Sequence, residues 1–154
     1  MQIREAKLSD FDQIIHILKD HFVHDSQFAP ITNNNYPDTD DGKEELAKAI
    51  VRDDNIALVI EDNDKILGYL TGAVRDRSWR EQTKVAELDG LYLSEDIRNQ
   101  GWGSKLIDRF KQFARDNNAK ALKVMTNYNN SIARSFYEKN GFQEHATWYE
   151  QPLE

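Results

Sequence analysis

The spacing of apolar residues changes several times along the chain, and each change marks a new element. Residues 2–7 read as a short strand. Phe11, Ile14, Ile15, Leu18 and Phe22 then fall on one helical face behind Ser9, a residue type suited to capping. From Asp25 to Gly42 the periodicity lapses. Pro30, Pro37 and the run Asn33-Asn34-Asn35 predict a long loop there, followed by a helix over 43–52. Ile56 to Ile60 and Ile66 to Val74 are strand-like, and Asp62-Asn63-Asp64-Lys65 between them predicts an antiparallel hairpin.

A third long strand spans Val85 to Leu93, where strict alternation sets Glu87 and Asp89 on one face with Leu91 and Leu93. Gly90 invites a bulge that would change this parity. Leu106, Ile107, Phe110, Phe113 and Ala114 form one stripe of a helix over 103–117, which Asn117 and Asn118 can end. The β-branched and apolar residues of Ala121 to Thr126 make the next strand, so the unit is βαβ and its two strands should run parallel. A short helix at 131–139 and a last strand at 142–150 complete an α/β order of β-α-α-β-β-β-α-β-α-β.

Without internal repeats, 154 residues suit one domain over 1–154, enough to bury roughly two-thirds of the unfolded surface. Cysteine is absent, which removes disulfides, a thiolate nucleophile and cysteine metal sites. His21 and His24 sit three apart on a helix end, and His16 and His145 are isolated, so no metal is expected. The charged N-terminal residues and the lack of a long apolar run point to a cytoplasmic protein with no membrane partner. A net charge of -7 disfavours nucleic acid and favours small molecules or basic partners. Arg75, Arg77 and Arg80 around Trp79 read as a solvated hairpin tip.

The segment richest in chemistry is Arg98-Asn99-Gln100-Gly101-Trp102-Gly103-Ser104, between a strand and an amphipathic helix. A glycine-bearing turn there aims backbone N–H groups and the helix dipole at one point, which suits a phosphate. The P-loop pattern is missing, and the dinucleotide fingerprint lacks its third glycine, since Leu106 stands in that place. What the segment matches is Arg/Gln-x-x-Gly-x-Gly/Ala. A second segment, Asn130 to Phe142, reads Asn-x-x-Ala-x-x-x-Tyr-x-x-x-Gly-Phe. In these two motifs and in its element order the chain resembles the GNAT superfamily of N-acetyltransferases.

The resemblance implies a central twisted mixed sheet, mostly antiparallel and flanked by helices, and transfer of an acetyl group from acetyl-CoA to a primary amine by direct attack. It implies that backbone groups of Asn99, Gln100, Gly101, Trp102, Gly103 and Ser104, helped by Arg98, hold the pyrophosphate. Leu91, Tyr92 and Leu93 would pair with the pantetheine arm, and a backbone N–H near Leu93 would steady the oxyanion. Asn130 would bond the same arm, Tyr137 would protonate the leaving thiolate, and Glu87, or its competitor Asp89, would take the amine's proton. Family habit adds a homodimer. Read without the resemblance, Asn130 is a helix cap, Tyr137 a packed aromatic, and Glu87 and Asp89 solvated carboxylates. A CoA-binding module without activity and an unrelated nucleotide-binding protein are the competing functions.

Overall fold

A computed structural model describes every residue except Gln82, Pro152 and Glu154. Strand β1 (Gln2–Glu5) leads through a 3-10 turn at Leu8–Asp10 into helix α1 (Phe11–Ser26). A second 3-10 turn, Tyr36–Asp38, precedes helix α2 (Asp40–Val51). Strands β2 (Asn55–Asp62), β3 (Lys65–Asp76) and β4 (Lys84–Leu93) follow. Then come a 3-10 turn at Glu95–Ile97, helix α3 (Trp102–Asp116), strand β5 (Ala121–Val124) and helix α4 (Ser131–Lys139).

The five strands lie in the order β1-β2-β3-β4-β5. Neighbours are antiparallel except β4 and β5, which run parallel across the α3 crossover, as the βαβ reading requires. The β2–β3 hairpin turns on Asn63 and Asp64, both at positive φ (49° and 61°), the backbone of the favoured two-residue hairpin turn. On one face of the sheet Leu58, Ile60, Leu70, Ala86 and Leu88 pack against Leu106, Ile107, Phe110 and Ala114 of α3. On the other, Val59, Ile66 and Tyr69 pack against Ile14, Ile15 and Ile17 of α1 and Leu46 of α2.

Three local expectations are corrected. Ser9 lies inside the 3-10 turn and caps nothing; the Asp10 carboxylate takes the Lys7 N–H at 2.8 Å and closes the turn. Helix α2 starts at Asp40 because Thr39 Oγ1 accepts the Gly42 N–H at 3.1 Å. Gly42 is therefore helical, and a Cβ on it would collide with the Tyr36 carbonyl oxygen. The last predicted strand does not form: residues 143–150 are all exposed and outside regular structure. A strand needs a ladder partner for its backbone groups, and here none of the described residues supplies one.

Arg4 ties the first elements together, bonding the buried Asp10 carboxylate at 2.7 and 3.0 Å and that of Glu61 at 2.8 and 3.0 Å. The guanidinium holds Asp10 below the usual carboxylate range and Glu61 at about 2. Both folded-state values lie below the unfolded ones, so this stabilisation is present at neutral pH and is lost as pH falls through the carboxylate range toward 2. Arg4→Leu is expected to lower Tm at pH 7 by roughly 4–8 °C and to flatten the fall of Tm between pH 5 and 2.5. Scanning calorimetry across that range checks it, and a curve parallel to wild type would locate acid sensitivity elsewhere.

Candidate active site

Pairing of β4 with β5 ends at Leu88 against Val124, whereas β4 continues to Leu93 with β3 still on its other edge. The strands therefore part at the carboxyl end of the parallel pair, the end at which open α/β sheets bind ligands. The parting coincides with an irregularity of register: Thr71 faces Gly90 and Gly72 faces Leu88, so Asp89 is the extra residue of a bulge. Parity changes there. Leu91 and Leu93 pack on the α3 side with Ala86 and Leu88, while Glu87 stands on the opposite face, opposite Ala73.

Helix α3 begins at this opening. Its N-cap is Gly101 at φ 83°, with no capping side chain, and the first α-helical bond of this turn runs from the Lys105 N–H to the Gly101 carbonyl. The N–H groups of Trp102, Gly103 and Ser104 belong to the turn that an α-helix leaves unpaired, so they and the positive end of the dipole are available to an anion. Asn99 at φ 60° helps turn the loop back on itself, and Gln100 braces it by donating to the Asp96 carbonyl at 2.8 Å. Gly103 sits under Phe136 of α4, where a Cβ would come within 2.9 Å of the ring.

Arg98 points back to the strand. Its Nε donates to the Leu93 carbonyl at 3.0 Å and its guanidinium lies over the Tyr92 ring at 5.1 Å, so it staples the loop to the end of β4. Trp102 packs beside the α3-side core and takes Lys105 Nζ on its ring at 4.0 Å.

Helix α4 brings in the second motif. Asn130 is buried as its N-cap, Oδ1 accepting the Ala133 N–H at 3.0 Å, which leaves the amide NH₂ as a donor. Tyr137 is wedged edge-on between Phe136 and Phe142, at 5.3 and 5.5 Å between ring centroids. Burial, with the nearby Asp25 charge, pushes its hydroxyl up to about 12.

The charged face of β4 differs from a solvated hairpin tip. Arg77 grips Glu87 with two bonds of 2.8 Å, Arg75 Nη1 lies 3.4 Å away and Lys123 Nζ 3.6 Å away. Arg77 above all keeps the Glu87 carboxyl below its ordinary range. Arg75 also holds the exposed Asp89 through two bonds of 2.9 Å.

Side chains that periodicity alone does not single out complete the site. His21 Nδ1 lies 2.5 Å from Tyr69 Oη, Nε2 lies 3.3 Å from Asp25 Oδ2, and the ring stacks on Tyr92 at 5.2 Å. The available signals were the i, i+4 spacing of His21 and Asp25 on one helix face and the register partners Tyr69 and Tyr92. Among the described residues no cluster of three or more metal-ligating side chains occurs, and no helix is long and apolar enough to cross a membrane. A surface cavity of about 430 Å³ lined by Glu81, Thr83, Lys84, Asn118 and Lys120 lies at the far end of β4, away from this opening.

The comparisons agree with this architecture. A protein named as an uncharacterized N-acetyltransferase, YhfO of Bacillus subtilis (strain 168), is 28% identical over 145 residues, covering 94% of this chain and 91% of its own. The BH1408 protein of Bacillus halodurans superposes with a TM-score of 0.86 at 20% identity, over 99% of both chains. A protein of Clostridium acetobutylicum, described as a predicted acetyltransferase with acetyl-CoA, superposes at 0.80 with 18% identity, over 99% of this chain and 96% of that one. The profile of the acetyltransferase (GNAT) family matches residues 12–142, and the chain belongs to that family.

Proposed function

We propose that this enzyme acetylates a primary amine from acetyl-CoA by direct attack of the amine on the thioester, forming the N–C bond as the C–S bond breaks. The observation that carries the reading is the opening between β4 and β5. It brings together an uncapped helix N-terminus, an open strand edge and the half-buried Tyr137 of α4. The N–H groups of residues 99–104 suit the pyrophosphate. The free edge of Leu91, Tyr92 and Leu93 suits the pantetheine amides, with Asn130 donating to the same arm. The acetyl-CoA named with the Clostridium neighbour supports this assignment.

In this reading a backbone N–H of the Leu91–Leu93 segment stabilises the oxyanion, the electrostatic contribution that usually dominates acyl transfer. Tyr137, protonated at working pH, gives its proton to the departing thiolate. Direct attack fits a chain without cysteine. An alkylammonium of pKa near 10.4 is deprotonated only about once in a few thousand at neutral pH, so the site must also accept a proton. Glu87 is the carboxylate on the same strand, and to serve it must release at least part of the grip of Arg77.

Calorimetric titration with acetyl-CoA, ATP and NAD, followed by thiol release with a panel of primary amines, tests the reading. Micromolar binding of acetyl-CoA alone with amine-dependent release is the expected outcome. Binding without release across the panel favours a module that has kept the loop and lost the chemistry, and absence of acetyl-CoA binding overturns the reading.

A further inference from the structure

We propose that the amine's proton leaves through the Tyr69 hydroxyl to His21, which Asp25 holds in place, an assignment that rests on the acetyl-transfer reading above. The geometry begins at the bulge. Tyr69 is buried in β3, and a Cβ placed on Gly90 would lie 3.1 Å from its hydroxyl oxygen. Glycine at position 90 thus keeps Tyr69 Oη clear of a side chain where β4 parts from β5. On the far side of that oxygen stands His21 Nδ1 at 2.5 Å, and beyond the ring, Asp25 at 3.3 Å from Nε2.

The protonation states follow from the partners. Asp25 is a partly exposed carboxylate. Burial raises its proton affinity, but the hydrogen bonds and charges of His21 and His24 outweigh this and hold the group below its usual range. An ionised carboxylate only accepts, so the hydrogen of neutral His21 resides on Nε2, and Nδ1 presents a lone pair that accepts the Tyr69 O–H. A lone pair of Tyr69 Oη then remains for the ammonium. Burial drives the Tyr69 hydroxyl well above 10, so it passes a proton on and does not stand as a phenolate.

The transfer balances. The amine N–H proton moves to Tyr69 Oη while the tyrosine's own proton moves to His21 Nδ1, leaving a neutral amine and an imidazolium paired with Asp25. Solvent takes the proton from this partly exposed pair before the next turnover. Glu87, gripped by two arginines on the upstream half of β4, has no place in this path.

The groups that face the relay are Asp20, His24 and Asp25 from α1, Tyr69 from β3, Tyr92 from β4 with Glu95 and Arg98 after it, and Tyr137 from α4. His21 acts through Tyr69, so the test needs readouts that a packing role would not move.

In ¹⁵N-histidine NMR of the full chain, which has four histidines, His21 is expected in the Nε2–H tautomer, with its Nδ1 resonance shifted by Tyr69→Phe. For His21→Gln and Tyr69→Phe, kcat with benzylamine is expected to fall about 100-fold with acetyl-CoA Kd within twofold. Both variants should lose the enzyme's own acid limb of the kcat/KM profile, keeping only the rise that follows the ionisation of benzylamine, and recover most activity with 2,2,2-trifluoroethylamine, an acceptor already neutral at pH 8. Glu87→Gln should keep that limb. A His21 Nδ1–H tautomer, or an acid limb that survives His21→Gln and vanishes in Glu87→Gln, overturns the relay while acetyl transfer stands. Wild-type protein that binds no acetyl-CoA and releases no thiol with either amine overturns the underlying reading, and the relay with it.

Discussion

Gly103→Val is expected to weaken acetyl-CoA binding by at least about 100-fold in a protein that still folds. Gly103 lies in the first turn of α3, where a Cβ would approach two Phe136 ring carbons to 2.9 and 3.1 Å and Leu93 Cδ1 to 3.8 Å. Valine adds two methyl groups to that contact. Either the first turn of α3 lifts away from α4 or Phe136 swings out, and overpacking of this kind costs about 1–3 kcal/mol before any ligand is considered. Both routes displace the N–H groups assigned to the pyrophosphate, and the second also disturbs Tyr137, whose ring rests on Phe136. Gly101→Ala is the control. Its Cβ meets nothing within 4 Å, but φ is 83°, so only backbone strain of about 1–2 kcal/mol opposes the native turn. Calorimetry should therefore show a loss of about tenfold or less for Gly101→Ala and no measurable binding for Gly103→Val. Circular dichroism and Tm verify folding in each. A folded Gly103→Val protein with wild-type Kd would remove the pyrophosphate from this turn.

Tyr137→Phe is expected to lower kcat about 10- to 100-fold and leave KM for acetyl-CoA within twofold. The loss is modest because a thiol of pKa about 8.5 is already a good leaving group. The substitution keeps the edge-on contacts with Phe136 and Phe142, so stability should hardly change. The pH dependence has a definite sign. With the hydroxyl pushed up to about 12, Tyr137 is protonated below that value and contributes no basic limb to kcat between pH 6 and 10. A wild-type basic limb near pH 8 that disappears in Tyr137→Phe would contradict the environment described here, and an unchanged kcat would remove the role.

Helices and long strands were legible because each buries one face with its own period: the stripe of Leu106, Ile107, Phe110 and Ala114 predicts α3 nearly to the residue. The two motif segments were legible for the same local reason, since a loop and the helix it opens are contiguous in the chain. What escaped was nonlocal. Glu87 reads as a free carboxylate until β3 and β5 bring Arg75, Arg77 and Lys123 against it. His21 reads as one of two helix-end histidines until the fold sets it on Tyr69, 48 residues away. The last strand failed in the opposite sense, because alternation describes what a segment can do and the ladder partner decides whether it does.

The bulge at Asp89 gives β4 two reading frames. Upstream, odd-numbered residues look toward α1 and even-numbered ones toward α3; downstream the assignment is exchanged, which is how Tyr92 comes to lie beneath His21 while Leu91 and Leu93 line the other side. Removal of Asp89 alone would leave Leu88, Gly90 and Leu91 in plain alternation with their partners on β3 kept, so Leu91 would stay toward α3 and Tyr92 beneath the imidazole, and what would be lost is the Arg75–Asp89 pair and the local bend of the strand. The extra residue bends β4 at the point where the strand passes from the half held between β3 and β5 to the half whose second edge is open.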